Sequence, residues 1–148
     1  MAVGTNLTTD GNFSAVQGQL MLPYPATVGV QFLRGGLIAV DGTTGLAIRV
    51  PANDGATDNT ALKIVGQCIA CPAGLSVSGD IVTVRTNCAV ELDNPVPLGQ
   101  SAVQDLVFAN DDHSATSGAA LNPKLGVFIG LNSVSGLPLV QLTPFVPA

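Results

Sequence analysis

VQFLRGGLIAVDGTTGLAIRV, residues 30–50, holds three short apolar runs and the punctuation between them. Val30–Leu33 stops at Gly35-Gly36, Leu37–Val40 stops at Asp41-Gly42, and Leu46–Val50 stops at Pro51. Apolar runs of four or five residues bounded by glycine and proline are too short for helices and read as strands. Asp41-Gly42 is a tight-turn signal that joins antiparallel neighbours.

The same rhythm continues to the end of the chain. Leu62–Ala70 is a longer strand with Gly66 inside it, the mark of a bulge. Leu75–Val77 and Ile81–Thr86 flank Ser78-Gly79-Asp80, a short hairpin connection. Cys88–Leu92 is the next strand and Asp93-Asn94-Pro95 ends it. Val103–Ala109 follows, then the polar turn Asn110-Asp111-Asp112-His113-Ser114. Leu125–Leu131 and Leu137–Leu142 close the series, joined around Ser133–Gly136. Residues 115–123 are small or polar, and Ser114–Ala120 has room for a single helical turn. No segment carries a 3.6-residue period, and no internal repeat is visible. Eight or nine short strands at this spacing predict an all-β fold, a small antiparallel β-barrel or sandwich.

Residues 1–29 differ from the rest. They hold one acidic residue, no basic one and no clean apolar period, and Pro23 and Pro25 exclude a continuous helix and disfavour a central strand. This predicts an extended N-terminal arm (1–29) before a β-domain (30–148), whose last residues, 143–148, form a short tail with Pro144 and Pro147. Leu20, Met21, Leu22 and Tyr24 form an apolar cluster in that arm. Such a cluster needs cover, from this domain or from a neighbour, and the expectation is an inter-subunit contact.

With 148 residues the chain fits one domain. Only 10% of its residues are charged, against about 25% in ordinary soluble domains. It has no apolar run of about 18 residues, so no membrane span is expected. A low-charge surface that does not face lipid is expected to be covered by protein, as in a subunit of a large assembly. The net charge of −5 and the scattered Arg34, Arg49, Lys63, Arg85 and Lys124 argue against a nucleic-acid partner. Residues 1–20 lack the basic and apolar regions of a secretory signal. Three cysteines make a secreted disulfide framework unexpected, so a reducing cytoplasm is the expected site of synthesis.

Chemistry-bearing motifs are few, and no cofactor is expected. Cys68-Ile69-Ala70-Cys71 has metal-ligand spacing, and with Cys88 and His113 it nominally gives four zinc ligands. In a regular strand, however, residues three apart face opposite sides, and buried thiols are the simpler reading. His113 beside Asp111 and Asp112, with Asp105 nearby, has the residue types of an oriented general base, but the same string is what a solvated turn looks like. A Ca²⁺ loop would need spaced oxygen ligands that Asp111-Asp112 lacks. Gly35-Gly36 has no phosphate-binding context. Six aromatic residues and no tryptophan weigh against carbohydrate or single-stranded nucleic-acid stacking.

From residue 30 onward the order of these pieces resembles the head decoration (cement) proteins of tailed bacteriophages. The resemblance is carried by Arg34-Gly-Gly-Leu-Ile-Ala-Val-Asp41, Val65-Gly66-Gln67 and the Ser78-Gly79-Asp80 turn with Ile81–Val84. It continues through Asp105-Leu-Val-Phe-Ala-Asn-Asp-Asp112, Leu125-Gly126-Val127 and Leu139-Val140-Gln141-Leu142. It implies a non-enzymatic virion protein on the outer surface of a capsid, bridging neighbouring major capsid proteins. It also implies self-association, a homotrimer first and a dimer second. The rival readings are a phage tail or spike component and a small ligand-binding β-domain. An enzyme would have only Asp105, Asp111 and His113 to work with.

Overall fold

A computed structural model of the chain describes residues 20–86, 88–93 and 98–142. These residues form ten strands in two antiparallel sheets of five, with one 3-10 turn at Gln100–Ala102. The first sheet holds β1 (Leu20–Pro25), β2 (Leu37–Val40), β3 (Ala47–Arg49), β4 (Lys63–Ala70) and β5 (Ile81–Thr86), in the order β1-β5-β4-β2-β3. The second holds β6 (Ala89–Glu91), β7 (Leu106–Ala109), β8 (Ala115–Thr116), β9 (Lys124–Leu131) and β10 (Pro138–Leu142), in the order β6-β10-β9-β7-β8. The all-β expectation is met, and the choice between barrel and sandwich falls to a sandwich. Each sheet is rolled until its two edge strands touch at one corner, without closing. Ala26, just after β1, makes a parallel bridge to Ala47, and Asp93, just after β6, makes one to Ser114.

The two sheets are the same topology used twice. In each, the fourth strand in chain order is central, between the second and the fifth, and the first and third are the edges. The irregularities coincide as well. In β4 the unpaired residues are Val65, opposite the Ile38/Ala39 step, and Ile69, opposite the Val84/Thr83 step. In β9 they are Leu125, opposite the Val107/Phe108 step, and Ile129, opposite the Val140/Leu139 step. Each bulge adds one residue, bends the strand and increases its twist, which is what rolls the sheet. A glycine follows the first bulge in both strands. A Cβ on Gly66 would overlap the Arg85 carbonyl and lie 2.6 Å from the Val84 side chain, and one on Gly126 would overlap the Gln141 carbonyl. The sequence showed no repeat because little except these glycines and Ile69/Ile129 is shared between β4 and β9.

Two apolar clusters follow from this geometry. Ile38, Ala47, Cys68, Val82 and Val84 fill the hollow of the first sheet, roofed by Phe32 and Ala26. Val90, Val107, Leu125, Phe128 and Val140 fill the hollow of the second, and Leu37, Ala39, Val50 and Ile64 from the first sheet close it. β2 therefore serves both clusters, Ile38 on one face and Leu37 and Ala39 on the other, and all three are fully buried.

Several local expectations change. Val30–Leu33 is not a strand: it makes a single bridge, Gln31 to Leu75, and Phe32 turns inward as roof. The Ser78-Gly79-Asp80 turn exists, held by the Asp80 N–H donating to the Val77 carbonyl at 3.1 Å. It does not make a hairpin, because β5 pairs with β1 and β4 instead of Leu75–Val77. Residues 115–116 form β8 where a helical turn had room. Residues 20–25 of the expected arm are an edge strand paired with β5, which places both prolines where a sheet tolerates them. Residues 1–19 of the expected arm, the expected tail 143–148 and residues 94–97, where the strand ending at Asp93 was expected to turn, lie outside the described residues.

Gly66→Ala and Gly126→Ala each force two paired strands apart. Each is expected to lower stability by about 2 kcal/mol or more. In thermal melts this reads as a Tm drop of roughly 5–10 °C.

Candidate functional site

The turn Asn110–Ser114, between β7 and β8, is the place where the two sheets are stitched together. Its own polar residues shape it. The Asn110 N–H donates to the Ser114 carbonyl at 3.1 Å, and the His113 N–H to Asp111 Oδ1 at 2.9 Å. Three backbone bonds from distant segments then fix it. The Leu37 N–H donates to the Asp112 carbonyl at 2.7 Å, the Asn53 N–H to the Asn110 carbonyl at 2.8 Å, and the Asp93 N–H to the His113 carbonyl at 2.8 Å.

Charge gathers on this frame. Arg49, at the end of β3, donates through Nε to Asp112 Oδ2 at 2.5 Å. His113 Nδ1 lies 2.7 Å from Asp112 Oδ1 and 3.2 Å from Asp111 Oδ1, and its Nε2 lies 3.8 Å from Asp93 Oδ2. The Asp112 side chain is nearly buried, whereas His113 and Asp93 are exposed. Burial works against ionisation of Asp112, but the hydrogen bonds from His113 and Arg49, with their charges, outweigh it and hold the carboxyl below its ordinary 3.8. The hydrogen bond to Asp112, helped by the charges of Asp111, Asp112 and Asp93, raises His113 above 6.5 against slight desolvation. Arg49, Val50, Pro51 and Ala52 face Asp111, Asp112 and His113 across an open cleft of about 370 Å³ with no aromatic wall.

Asp111, Asp112 and His113 offer three donor atoms within 4.8 Å of one another, the one such group among the described residues. Those atoms are already engaged with each other and with Arg49, so the geometry is that of an ion-pair network between neighbours in the fold. Asp105 is exposed at the entry to β7 and is not part of it. The hydroxyl of Ser114 is buried without a hydrogen-bond partner, so it is not paired to His113 as an activated nucleophile would be. Arg49 and Asp93 belong to the network and had no signal in the sequence, because each reaches the turn only through sheet pairing.

The cysteines do not gather around His113. Cys68 and Cys71 lie in the first hollow and Cys88 in the second. The bulge at Ile69 brings the Cys68 and Cys71 thiols close enough to interact, as a regular strand would not. Burial first, then Cys71, pushes the Cys68 thiol up to about 12, and Cys71 donates to the Phe32 carbonyl at 3.3 Å. A thiol held protonated in this way, as that of Cys68 is, is a packing group.

The expected interface residues divide. Leu20, Leu22 and Tyr24 stand opposite Thr86, Val84 and Val82, so they face the first hollow, and Met21 faces the other side. Tyr24 is half-buried against the protein's own core. Leu20, Met21 and Leu22 remain 42%, 67% and 38% exposed. The Ala26 N–H bonds inward to the Asp80 carbonyl and the Thr27 N–H outward to the Ala47 carbonyl. The alternation puts Met21, Pro23 and Pro25 on the free edge of β1. Two of those three positions have no N–H, so the edge is closed to a further strand and its apolar side chains remain available for packing.

The network predicts two pH limbs. The stabilisation from Asp112 is complete above 3.8 and is lost as pH falls through its depressed folded value; that from His113 is complete below 6.5 and is lost as pH rises through its raised value. Denaturant unfolding should show stability declining as pH rises past 6.5 in the wild type, with that slope absent in His113→Gln. Asp112→Ala should cost about 2 kcal/mol at neutral pH, because two charge-assisted bonds are lost together. Compared with known proteins, the chain matches no family model, no curated protein and no solved structure.

Proposed function

We propose that this protein is a non-enzymatic structural subunit of a virion, decorating the outer surface of a tailed-phage capsid and bridging neighbouring major capsid proteins. The observation that carries this reading is the distribution of exposed apolar side chains. Of the eleven large hydrophobic residues exposed among the described residues, eight lie in segments 20–33 and 75–81. Those segments are neighbours: Pro25 pairs with Ile81, Gln31 bridges Leu75, and the Gly29 N–H donates to the Ser76 carbonyl at 2.8 Å. Together the eight expose on the order of 700 Å², shared between the hollow side of β1, with Leu20 and Leu22, and its other side, with Met21, where a standard interface takes roughly 800 Å² from each partner.

The physical logic is burial without charge. A chain with 10% charged residues has few ions to desolvate when its surface is covered. Apolar area removed from water contributes about 25 cal/mol per Å². On a shell, many identical modest contacts combine through multivalency, so one subunit need not bind tightly alone. No helix among the described residues is long and apolar enough to cross a membrane. The reading includes self-association, a homotrimer ahead of a dimer, synthesis in the host cytoplasm and residence on the capsid.

The test is light scattering of the purified protein, repeated after mixing with undecorated capsids. Stoichiometric co-sedimentation is expected. Met21→Asp with Ile81→Asp, both on exposed side chains, should leave the fold within about 0.5 kcal/mol of wild type and weaken capsid binding about tenfold or more. Truncation through residue 29 is the wrong probe, because it removes β1 from the sheet. A protein that ignores capsids and binds tails or spikes instead would replace this reading with an appendage component.

A further inference from the structure

The two sheets share a topology, but their equivalent surfaces are unequally covered. The hollow of the second sheet is closed by the back of the first, through Leu37, Ala39, Val50 and Ile64. Equivalent positions follow from the pairing. Val90 stands beside Val140 as Leu22 stands beside Val84, and Val140 pairs with Phe128 as Val84 pairs with Cys68. Val90 and Cys88 are 3% exposed, whereas Leu22 and Leu20, in the same places on the first sheet, are exposed. The converse holds on the back. Leu37 and Ala39 are fully buried, while Leu106 and Phe108, their equivalents beside Gly126, are only half-buried, and the bulged Ile129 is exposed. Among the described residues, the chain thus uses one back and one hollow, and leaves an uncovered hollow rim at one end and an uncovered back at the other.

We propose that a second copy of the chain supplies the missing cover. The back of the second sheet in one copy, around Leu106, Phe108 and Ile129, packs on the Leu20–Leu22 rim of the first sheet in the next. The contact between chains repeats the contact that the two sheets make within one chain. It is made by side chains, since the prolines close the β1 edge to strand addition. Being a head-to-tail contact between different surfaces, it builds a ring when the rotation closes. The inference rests on the self-association in the proposed function and not on capsid binding.

The test uses full-length protein at about 100 µM in sedimentation velocity. Leu22→Asp on the rim and Ile129→Asp on the back both alter exposed positions, and each should weaken association about tenfold or more. Mixing the two variants should restore a dimer and nothing larger, because one intact rim meets one intact back; an interface of like with like would gain nothing from mixing. Val134→Asp, on neither surface, should associate as wild type does. A monomeric wild type, unchanged association in either variant, no recovery on mixing, or an equal loss in Val134→Asp would overturn the proposal. Capsid co-sedimentation of the same samples is scored separately. Wild type that associates as described but ignores capsids sinks the virion reading alone, and capsid binding with association unaffected by the variants sinks only this inference.

Discussion

Strand β2 is buried on both faces, and the molecule is organised around that fact. An antiparallel sheet ordinarily leaves one face to water. Leu37-Ile38-Ala39 has no such face: Ile38 closes the first hollow, while Leu37 and Ala39 plug the second. The backbone of β2 is committed as well, since the Leu37 N–H reaches across to the Asp112 carbonyl. A shift of one residue in this strand would exchange the contents of two cores at once, so its register is fixed from both sides.

The repeated topology explains how two such hollows arise from one short chain. Rolling a sheet needs bulges, and the bulges in β4 and β9 sit at matching places with a glycine beside the first of each. Close backbone approach, more than side-chain identity, is what the two sheets have in common. The Asp112 network stands at the corner where the rolled edges of the second sheet meet the back of the first. Arg49 and His113 partly offset its three carboxylates across segments that have no local reason to be adjacent, and this makes it a structural clasp lining an open cleft.

The distribution of apolar surface follows from the same arrangement. The hollow of the second sheet is covered by the first, and among the described residues the loop around Phe32 roofs the hollow of the first. Its edge strand, β1, is left with Leu20, Met21 and Leu22 in solvent beside Val28, Leu75, Val77 and Ile81. In a charge-poor chain this rim is where a neighbouring protein gains the most by covering it.

The sequence alone determined the class and most of the strands. Short apolar runs cut by Gly35-Gly36, Asp41-Gly42 and Pro51 leave no room for helices, Gly66 announced its bulge, and Asn110–Ser114 announced its turn. These are local signals, set by backbone sterics and turn chemistry within a few residues. Pro23 and Pro25 carried a local signal too, but it fitted an arm and an edge strand equally, and only pairing with β5 chose. Tertiary structure decided the rest. The Arg49–Asp112 pair, the approach of Cys71 to Cys68 and the burial of Phe32 depend on register between segments far apart in the chain. The duplication was invisible for the same reason: sheet geometry repeats through hydrogen bonds and bulge positions, which many different side chains satisfy.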